Sequence, residues 1–275
     1  MTKESKIAIH YALQCCDTKN YQANVRFCTD NRTELSKKSV TSFLNSVKYL
    51  AKRETKTQHF IHIFEDNCSD ELYQYLKLCE KLYDESGITI EITRLKGKGI
   101  AESIRYCYEW LEYNGTNLVY QIQDDYLFTE HAIYYSVDMF YQLYQNYNTH
   151  PLICPYIDPD FMRTYKGKSV PRLMELGKHS YWCQVYDTSC SFLTSHHQFI
   201  KHKDLYAIFY DLVKQRRING NIIDLENKSL NYIFTQRGVL GVTPITGLTF
   251  HMQTEAERDP YIDWRPIWDS IKLHD

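Results

Sequence analysis

The sequence predicts an α/β fold in which a mostly parallel sheet is flanked by helices. Three observations lead to this fold class. Short apolar strands alternate with amphipathic helices through the first half of the chain. Acidic residues directly follow two of those strands. The 275 residues are 43% hydrophobic and 24% charged, which is typical of a globular protein with a substantial core. This length allows one large domain or two small ones.

The first half contains four predicted strands and four predicted helices. The strands are expected at 7–12, 60–64, 88–92 and 118–122. The helices are expected at 35–51, with Thr33 and Ser36 as candidate caps, from Ser69 to Gly87, from the end of the loop 94–99 to about Gly115, and at about 130–146.

The second half of the sequence is less regular. Strand structure is expected at 152–156, within 181–194 and up to His251, and helices at 205–213 and from about 224–227 onward. The segment 157–180, with its prolines and glycines, is predicted to be a long loop or partial lid. The tail from Asp259 to Trp268 is predicted to be extended because it holds two prolines.

Charge and composition exclude several classes of protein. The formal net charge of −2 argues against a generic nucleic-acid coat or a polybasic membrane binder. No apolar run reaches the roughly 18 residues of a membrane span, and the start lacks a signal-peptide pattern, so a cytoplasmic location is expected. The nine cysteines form no CxxC pair, which predicts buried free thiols and no structural zinc site.

The carboxylates at the strand ends are the first functional signal. Glu65-Asp66 and Asp124-Asp125 each follow an apolar strand directly, and ligands of parallel sheets bind at the carboxyl ends of the strands. Two adjacent carboxylates at the end of a buried strand need a partner. Mg²⁺ or Mn²⁺, which binds one or two carboxylates together with substrate phosphate oxygens, is the natural one. The alternative is a solvated Asp-Asp turn.

The order of these motifs resembles a known enzyme family. A strand, FEDNCSDE, a second strand, a KGKG loop that opens a helix, and a strand ending in QDDY follow one another along the chain. This order resembles the GT-A (Rossmann-like) fold of family 2 nucleotide-sugar glycosyltransferases, clearly over about 5–130 and more weakly to about 255. The resemblance implies a single domain with a nucleotide-sugar-binding half (1–130), an acceptor-binding and catalytic half (131–258) and a C-terminal tail (259–275).

The resemblance also implies roles for residues that bind the donor. Asp66 is expected to accept the N3–H of a uracil-like base, although a helix-capping role is the alternative. The metal is expected on Asp125, with His251 as a second ligand; a purely structural histidine is the alternative. The remaining nucleotide-sugar-binding candidates are Tyr11 or Ala12 at the base, Lys98, Gly99 and Arg105 near the phosphates, and Gln123 with Asp124 near the ribose.

A general base is expected near the start of a late helix. The family pattern has an acidic pair there, and this chain has Glu226 followed by Asn227, so Glu226 is the first candidate and Asp224 the second. Both are also ordinary acids for the first turn of a helix.

The resemblance implies a metal-dependent glycosyltransferase that moves a sugar from a nucleoside-diphosphate sugar, with UDP favoured, to an acceptor hydroxyl with inversion. A saccharide acceptor is favoured, and DNA with a hydroxymethylated base is the runner-up because several Lys/Arg clusters occur. A sugar nucleotidyltransferase is a further alternative. Such enzymes usually have a glycine-rich, basic motif at the end of the first strand, whereas this chain has HYALQCC there, without glycine. The last alternative is a binding module without catalytic activity.

Overall fold

A computed structural model describes residues 7–17, 28–29, 31–156, 174–186, 188, 191–219, 225, 228–252 and 262–274. Within these residues the chain forms one nine-stranded sheet and one two-stranded sheet. The order in the large sheet is β3-β2-β1-β4-β9-β6-β10-β8-β7, and β11 pairs with β5 in the small one. The strands are β1 (Ile7–Cys15), β2 (Thr57–Glu65), β3 (Ile88–Arg94), β4 (Leu118–Gln123), β5 (Tyr126–Phe128), β6 (Leu152–Ile153), β7 (Met174–Leu176), β8 (Tyr181–Val185), β9 (Phe192–Ser195), β10 (Gly241–Pro244) and β11 (Thr249–His251).

The first four strands are parallel, as predicted. β1 pairs in parallel with β2 and with β4, and β2 pairs in parallel with β3. Strand β9 then runs antiparallel to both β4 and β6, and β8 runs antiparallel to β10. The predicted class is confirmed: a single mixed α/β domain with a large, mostly parallel sheet.

Helices cover both faces of the large sheet. They are α1 (Arg32–Arg53), α2 (Asp70–Asp84), α3 (Ile100–Asn114), α4 (Ala132–Tyr147), α5 (His196–Lys201), α6 (Lys203–Asn219), α7 (Tyr232–Thr235) and α8 (Trp264–Ser270). The apolar sides of α1, α2 and α4 share one core with one face of the sheet. The apolar sides of α3, α5, α6 and α7 share a second core with the other face. None of the helices in the described ranges has the length and apolar character that a bilayer crossing requires.

Helix starts follow the expected chemistry, with one correction. Ser69 caps α2 as predicted, because its side chain accepts a hydrogen bond from the Leu72 N–H. The predicted caps of α1, Thr33 and Ser36, are wrong. The cap is Asn31, whose side chain accepts from the N–H groups of Thr33 and Glu34. Cys15, Cys68, Cys79 and Cys107 are buried free thiols, as predicted for most of the cysteines.

Two strand predictions are too short: β2 begins at Thr57, three residues before the predicted start at Phe60, and β1 ends later than predicted. β1 continues to Cys15, three residues beyond the predicted end at Ala12, since its alternate residues pack in both cores. Tyr11 and Ala12 therefore lie inside the strand with no exposed surface, and the Tyr11 hydroxyl is 3.1 Å from the His59 Nδ1. The predicted lid 157–180 lies mostly outside the described residues, and its last part contains β7.

The prediction of an extended tail is wrong for its last residues, which form α8. Pro266 is the third residue of this helix, where a missing N–H disrupts no helical hydrogen bond, and the Asp263 side chain caps the helix by accepting from the Arg265 N–H. Lys38 of α1 donates from Nζ to the carbonyls of Trp268 and Ile271 at 2.9 and 2.8 Å. These two hydrogen bonds hold α8 and the residue that follows it against α1.

A row of buried serines on α1 holds the segment that follows β4. Ser39 Oγ donates to the Tyr126 carbonyl at 2.7 Å. Ser42 Oγ accepts from the Phe128 N–H at 3.1 Å, and Ser46 Oγ accepts from the Ile133 N–H at 3.0 Å. Buried backbone groups of this segment are thus satisfied by α1 side chains as well as by strand pairing.

Buried histidines make the fold sensitive to mild acid. His59 is 2% exposed, and burial lowers its pKa to about 4. An unfolded histidine has a pKa near 6.5, so the unfolded state takes up a proton that the folded state refuses. We therefore expect the stability contributed by neutral His59 to be full above pH 6.5 and to fall as the pH drops toward 4.

The variant His59→Asn isolates this effect, because its amide can still accept from Tyr11 but cannot titrate. Its free energy of unfolding in urea should fall less than that of the parent between pH 7 and pH 5, by about 1–2 kcal/mol. His179→Asn, on an exposed residue, is the control. Parallel pH profiles for the parent and His59→Asn would contradict the prediction.

Candidate functional site

The carboxyl ends of β1, β2 and β4 meet at one edge of the sheet. The register places Cys15 beside Glu65 and Gln14 beside Gln123, so the residues that follow these strands are neighbours in space. The edge is rich in acids: Asp17, Glu65, Asp66, Asp124 and Asp125. The first four have less than a tenth of their surface exposed. Each needs a specific partner, and these partners define what the edge can bind.

Asp124 has partners on both carboxylate oxygens. Oδ1 receives a hydrogen bond from Arg32 Nη2 at 2.7 Å. Oδ2 accepts from the Cys16 N–H at 2.9 Å and from Ser36 Oγ at 2.8 Å. Burial raises the pKa of Asp124, and the Arg32 guanidinium opposes that shift. The side chain predicted to face a ribose is therefore turned towards the start of α1.

Arg32 is a residue that the sequence analysis missed. It is the first residue of α1, and its Nε also donates to the Cys16 carbonyl at 3.1 Å. Burial alone would lower its pKa, but the facing carboxylates of Asp124 and Asp125 raise it. Arg32 thus neutralises one of the two adjacent acids and leaves Asp125 as the carboxylate available to a ligand.

Asp125 and His251 are brought together by the small sheet. β5 and β11 pair with Tyr126 opposite His251, and the His251 Nε2 lies 3.3 Å from Asp125 Oδ2. The His251 ring stacks on Tyr126 at a centroid distance of 4.7 Å. Burial by itself would raise the pKa of Asp125, but the facing imidazole, with Arg32, lowers that pKa to about 2. Asp125 is therefore ionised at neutral pH.

The second oxygen of Asp125 bears on the metal prediction. Asp125 Oδ1 is buried and has no hydrogen-bond partner within the described residues. An ionised carboxylate with an unsatisfied oxygen beside an imidazole suits Mg²⁺ or Mn²⁺, which takes a few protein ligands and completes its shell with substrate oxygens and water. The described ranges contain no group of three or more metal-binding side chains. The residues present fit a divalent cation held by two protein ligands.

Asp66 and Gly99 form the second polar feature of the edge. Asp66 Oδ2 accepts from the Gly99 N–H at 2.6 Å. Its Oδ1 is buried and, within the part of the chain that the structure describes, has no hydrogen-bond partner. Gly99, the N-cap of α3, has φ +95° and ψ 167°, a conformation that is essentially restricted to glycine. The loop thus turns Asp66 into an acceptor with one oxygen fixed and one free.

The other predicted donor-binding residues lie around this centre. Lys98 is exposed in the loop before Gly99, and Gln123 is partly exposed at the end of β4. Arg105 is engaged on its own helix by Glu102 at 2.8 Å and Glu109 at 2.6 Å. The structure therefore does not bring Arg105 together with the acids of the edge. Glu226 and Asp224, the candidate general bases, lie outside the described residues.

Asp17 is a second residue that the sequence analysis missed. Its Oδ1 accepts from the Ser69 N–H at 2.6 Å, and its Oδ2 accepts from Ser69 Oγ and Thr33 Oγ1 at 2.5 and 2.7 Å. It joins the end of β1 to the first turns of both α1 and α2. Its position two residues after the end of β1 was the available signal, but the predicted strand ended at Ala12, too early to show it.

No model of a known protein family matches this chain, and no curated protein sequence matches it. Several solved structures are similar in fold. The mannosyltransferase PcManGT from Pyrobaculum calidifontis, in complex with GDP-Man and Mn²⁺, is 9% identical with a TM-score of 0.38 over 57% of this chain and 38% of its own. The galactosyltransferase LgtC, in complex with donor and acceptor sugar analogues, is 15% identical with a TM-score of 0.42 over 84% and 72%. An apo UDP-glucose pyrophosphorylase is 10% identical with a TM-score of 0.48 over 95% and 97%.

The neighbours thus include both glycosyltransferases and a pyrophosphorylase. This chain spans well under half the length of the mannosyltransferase. At these identities and TM-scores no residue role in this chain rests on the neighbours, and the chemistry has to be argued from the carboxyl edge itself.

Proposed function

We propose that this protein is a glycosyltransferase that transfers a sugar from a nucleoside-diphosphate sugar, with UDP as the nucleotide, to an acceptor hydroxyl. One observation carries the proposal. Asp125, at the carboxyl end of β4, holds an ionised carboxylate against His251, and its Oδ1 has no hydrogen-bond partner in the part of the chain that the structure describes. Such a group at the ligand-binding edge of a parallel sheet fits a diphosphate and its divalent cation.

In the proposed donor complex each end of the nucleotide has its own group. Asp66 Oδ1 accepts the N3–H of the uracil, since Oδ2 is already used by Gly99. Asp125 and His251 would hold Mn²⁺ or Mg²⁺. The cation, when bound, offsets the negative charge that develops on the leaving nucleoside diphosphate. Arg32 pairs directly with Asp124, so Asp125 is the carboxylate left to bind that cation.

The acceptor half of the reaction rests on the sequence resemblance. Glu226, or Asp224, is proposed as the general base that takes the proton of the acceptor hydroxyl. The oxygen of that hydroxyl attacks the anomeric carbon of the donor sugar with inversion, and the nucleoside diphosphate leaves. A saccharide is proposed as the acceptor.

The base-recognition role of Asp66 gives a direct test. UDP with Mn²⁺ should raise the melting temperature more than CDP or ADP does, because neither cytosine nor adenine offers an N3–H to Asp66. In Asp66→Ala the affinity for UDP should fall about tenfold, and the preference for UDP over CDP should vanish. Thermal shift and isothermal titration in the presence of Mn²⁺ measure both quantities.

Asp70→Ala is the matched control, because its carboxylate is 94% exposed only four residues away. It should retain both affinity and preference. The proposal of a UDP-dependent transferase is overturned if no nucleoside diphosphate binds with or without metal. It is also overturned if the protein forms a UDP-sugar and pyrophosphate from UTP and a sugar 1-phosphate.

A further inference from the structure

A cavity of about 240 Å³ lies on the α3 side of the sheet, away from the carboxyl edge. It opens beside the last turn of α3, over the middle of β1, β2 and β3. Two aromatic rings and four polar side chains line it: Phe60, Trp110, His10, Thr89, Glu91 and Asn114. The glycosyltransferase chemistry proposed above uses none of them.

The cavity exists because α3 leaves part of the sheet uncovered. α3 packs mainly across β1, and the side chains of β3 that point to the same face, Thr89 and Glu91, are exposed. The opposite face of β3 is closed by Ile88 and Ile90, which lie in the first core. The fold therefore leaves part of the sheet surface exposed between β3 and α3.

His10 is the unusual polar group of the cavity. It is 7% exposed, and its Nδ1 has no hydrogen-bond partner within the described residues. The ring stacks on Phe60 at a centroid distance of 4.9 Å and lies 5.7 Å from the Trp110 ring. Burial, with His196 nearby, lowers the pKa of His10 to about 4, so the imidazole is neutral near pH 7. A neutral imidazole next to two aromatic rings, with its Nδ1 unpaired among the described residues, offers one hydrogen bond to a ligand in the cavity.

These groups suit a flat, neutral ring with apolar faces and a hydroxyl-bearing edge. The rings of Phe60 and Trp110 offer the apolar contact, and the carboxylate of Glu91, the hydroxyl of Thr89 and the amide of Asn114 offer acceptors and donors at the rim. A cation would have to compete with His62 for Glu91, since His62 Nδ1 lies 3.3 Å from that carboxylate. A sugar hydroxyl can donate a hydrogen bond to the Glu91 carboxylate while His62 stays beside it.

We propose that this cavity is a second saccharide-binding site, separate from the carboxyl-edge site. His10, Phe60 and Thr89 each lie five residues before the last residue of their strands, so the two sites are about 16 Å apart along the sheet. His62 and Phe64, which lie between the cavity and that edge, are buried, so the accessible site is confined to the cavity. The site is inferred from the cavity alone and does not depend on the proposed transferase activity.

Fluorine NMR of protein labelled with 5-fluorotryptophan tests the proposal. The chain has four tryptophans, and the other three, Trp182, Trp264 and Trp268, are buried elsewhere. Mannohexaose, cellohexaose and chitohexaose are the probes, each titrated to about 10 mM to cover millimolar dissociation constants. At least one probe should shift the Trp110 signal and leave the other three in place. The same shift should occur in Asp125→Asn, which separates this site from the donor site.

Two variants that retain the reporter complete the test. Phe60→Ala, which removes one wall, and Glu91→Ala, at a side chain 66% exposed, should each weaken the saccharide about tenfold, whereas Phe60→Tyr should retain binding. Tyr113→Ala is the control on the same helix, because Tyr113 is 79% exposed. The proposal is overturned if no hexasaccharide moves the Trp110 signal, if both weakening variants bind as well as the parent, or if uridine moves the signal and the saccharides do not.

Discussion

Replacing Asp125 with asparagine should abolish sugar transfer while the protein stays folded. The substitution keeps the size and polarity of the side chain but removes the charge that faces His251 and the proposed cation. A metal ion that stabilises developing charge by several kcal/mol corresponds to a rate effect of about 10³-fold or more. The measurement is the initial rate of UDP release from a UDP-sugar with Mn²⁺, together with the melting temperature of each variant.

Glu130→Gln is the matched control, because this exposed carboxylate lies five residues further along the chain. It should leave the rate unchanged. His251→Asn should reduce the rate less than Asp125→Asn does and should raise the Mn²⁺ concentration needed for half-maximal activity, since one of two ligands remains. An Asp125→Asn protein that keeps a tenth or more of the metal-dependent rate would remove Asp125 from the proposed site.

Removing Arg32 should produce the largest loss of stability at the site. In Arg32→Ala the Asp124 carboxylate keeps the Cys16 N–H and Ser36 Oγ but loses its counter-charge while it remains buried. Breaking a buried pair by removing one partner typically costs 3–5 kcal/mol, and we expect about 3 kcal/mol because the Arg32 side chain is 14% exposed. Urea unfolding at pH 7 measures the change.

A double variant separates charge from packing. Arg32→Ala with Asp124→Asn should recover at least half of the loss, because the remaining buried side chain is then neutral. Arg237→Ala is the surface control, since its pair with Asp204 is about half exposed on both sides and should contribute little. A loss for Arg32→Ala no larger than that of Arg237→Ala would show that Asp124 does not depend on the guanidinium.

The parallel half of the fold could be predicted because the period of the hydrophobic residues and the helix-capping residues indicate the same element bounds there. β2, β3, β4 and α2 lie within three residues of the bounds that the strand period, Ser69 and Gly87 indicated. The meeting of acids at one edge followed from the parallel sheet alone, since carboxyl ends of neighbouring parallel strands coincide. The pairing of Asp125 with His251, 126 residues apart, came instead from the family resemblance, and the structure brings the two side chains together.

The rest required tertiary structure. Arg32 stands in a polar stretch, and nothing in that stretch shows that its partner is an acid 92 residues later. The sequence presented Asp124 and Asp125 as equivalent, yet both oxygens of Asp124 are paired, by α1 and the Cys16 N–H, whereas Asp125 Oδ1 has no hydrogen-bond partner among the described residues. Helix α8 was missed because proline was counted against it, although a proline in the first turn is compatible with a helix. The cavity over β3 depends on where α3 crosses the sheet, which no local pattern reveals.

The serine row on α1 has a consequence for how the protein opens. Ser36 binds Asp124, and Ser39, Ser42 and Ser46 bind the backbone of 126–133, so the segment that carries Asp125 shares its hydrogen bonds with α1. We therefore expect the two to open as one cooperative unit. Amide hydrogen exchange at Phe128 and Ile133 should proceed at the rate of α1 undocking, and Ser42→Ala should speed both amides together.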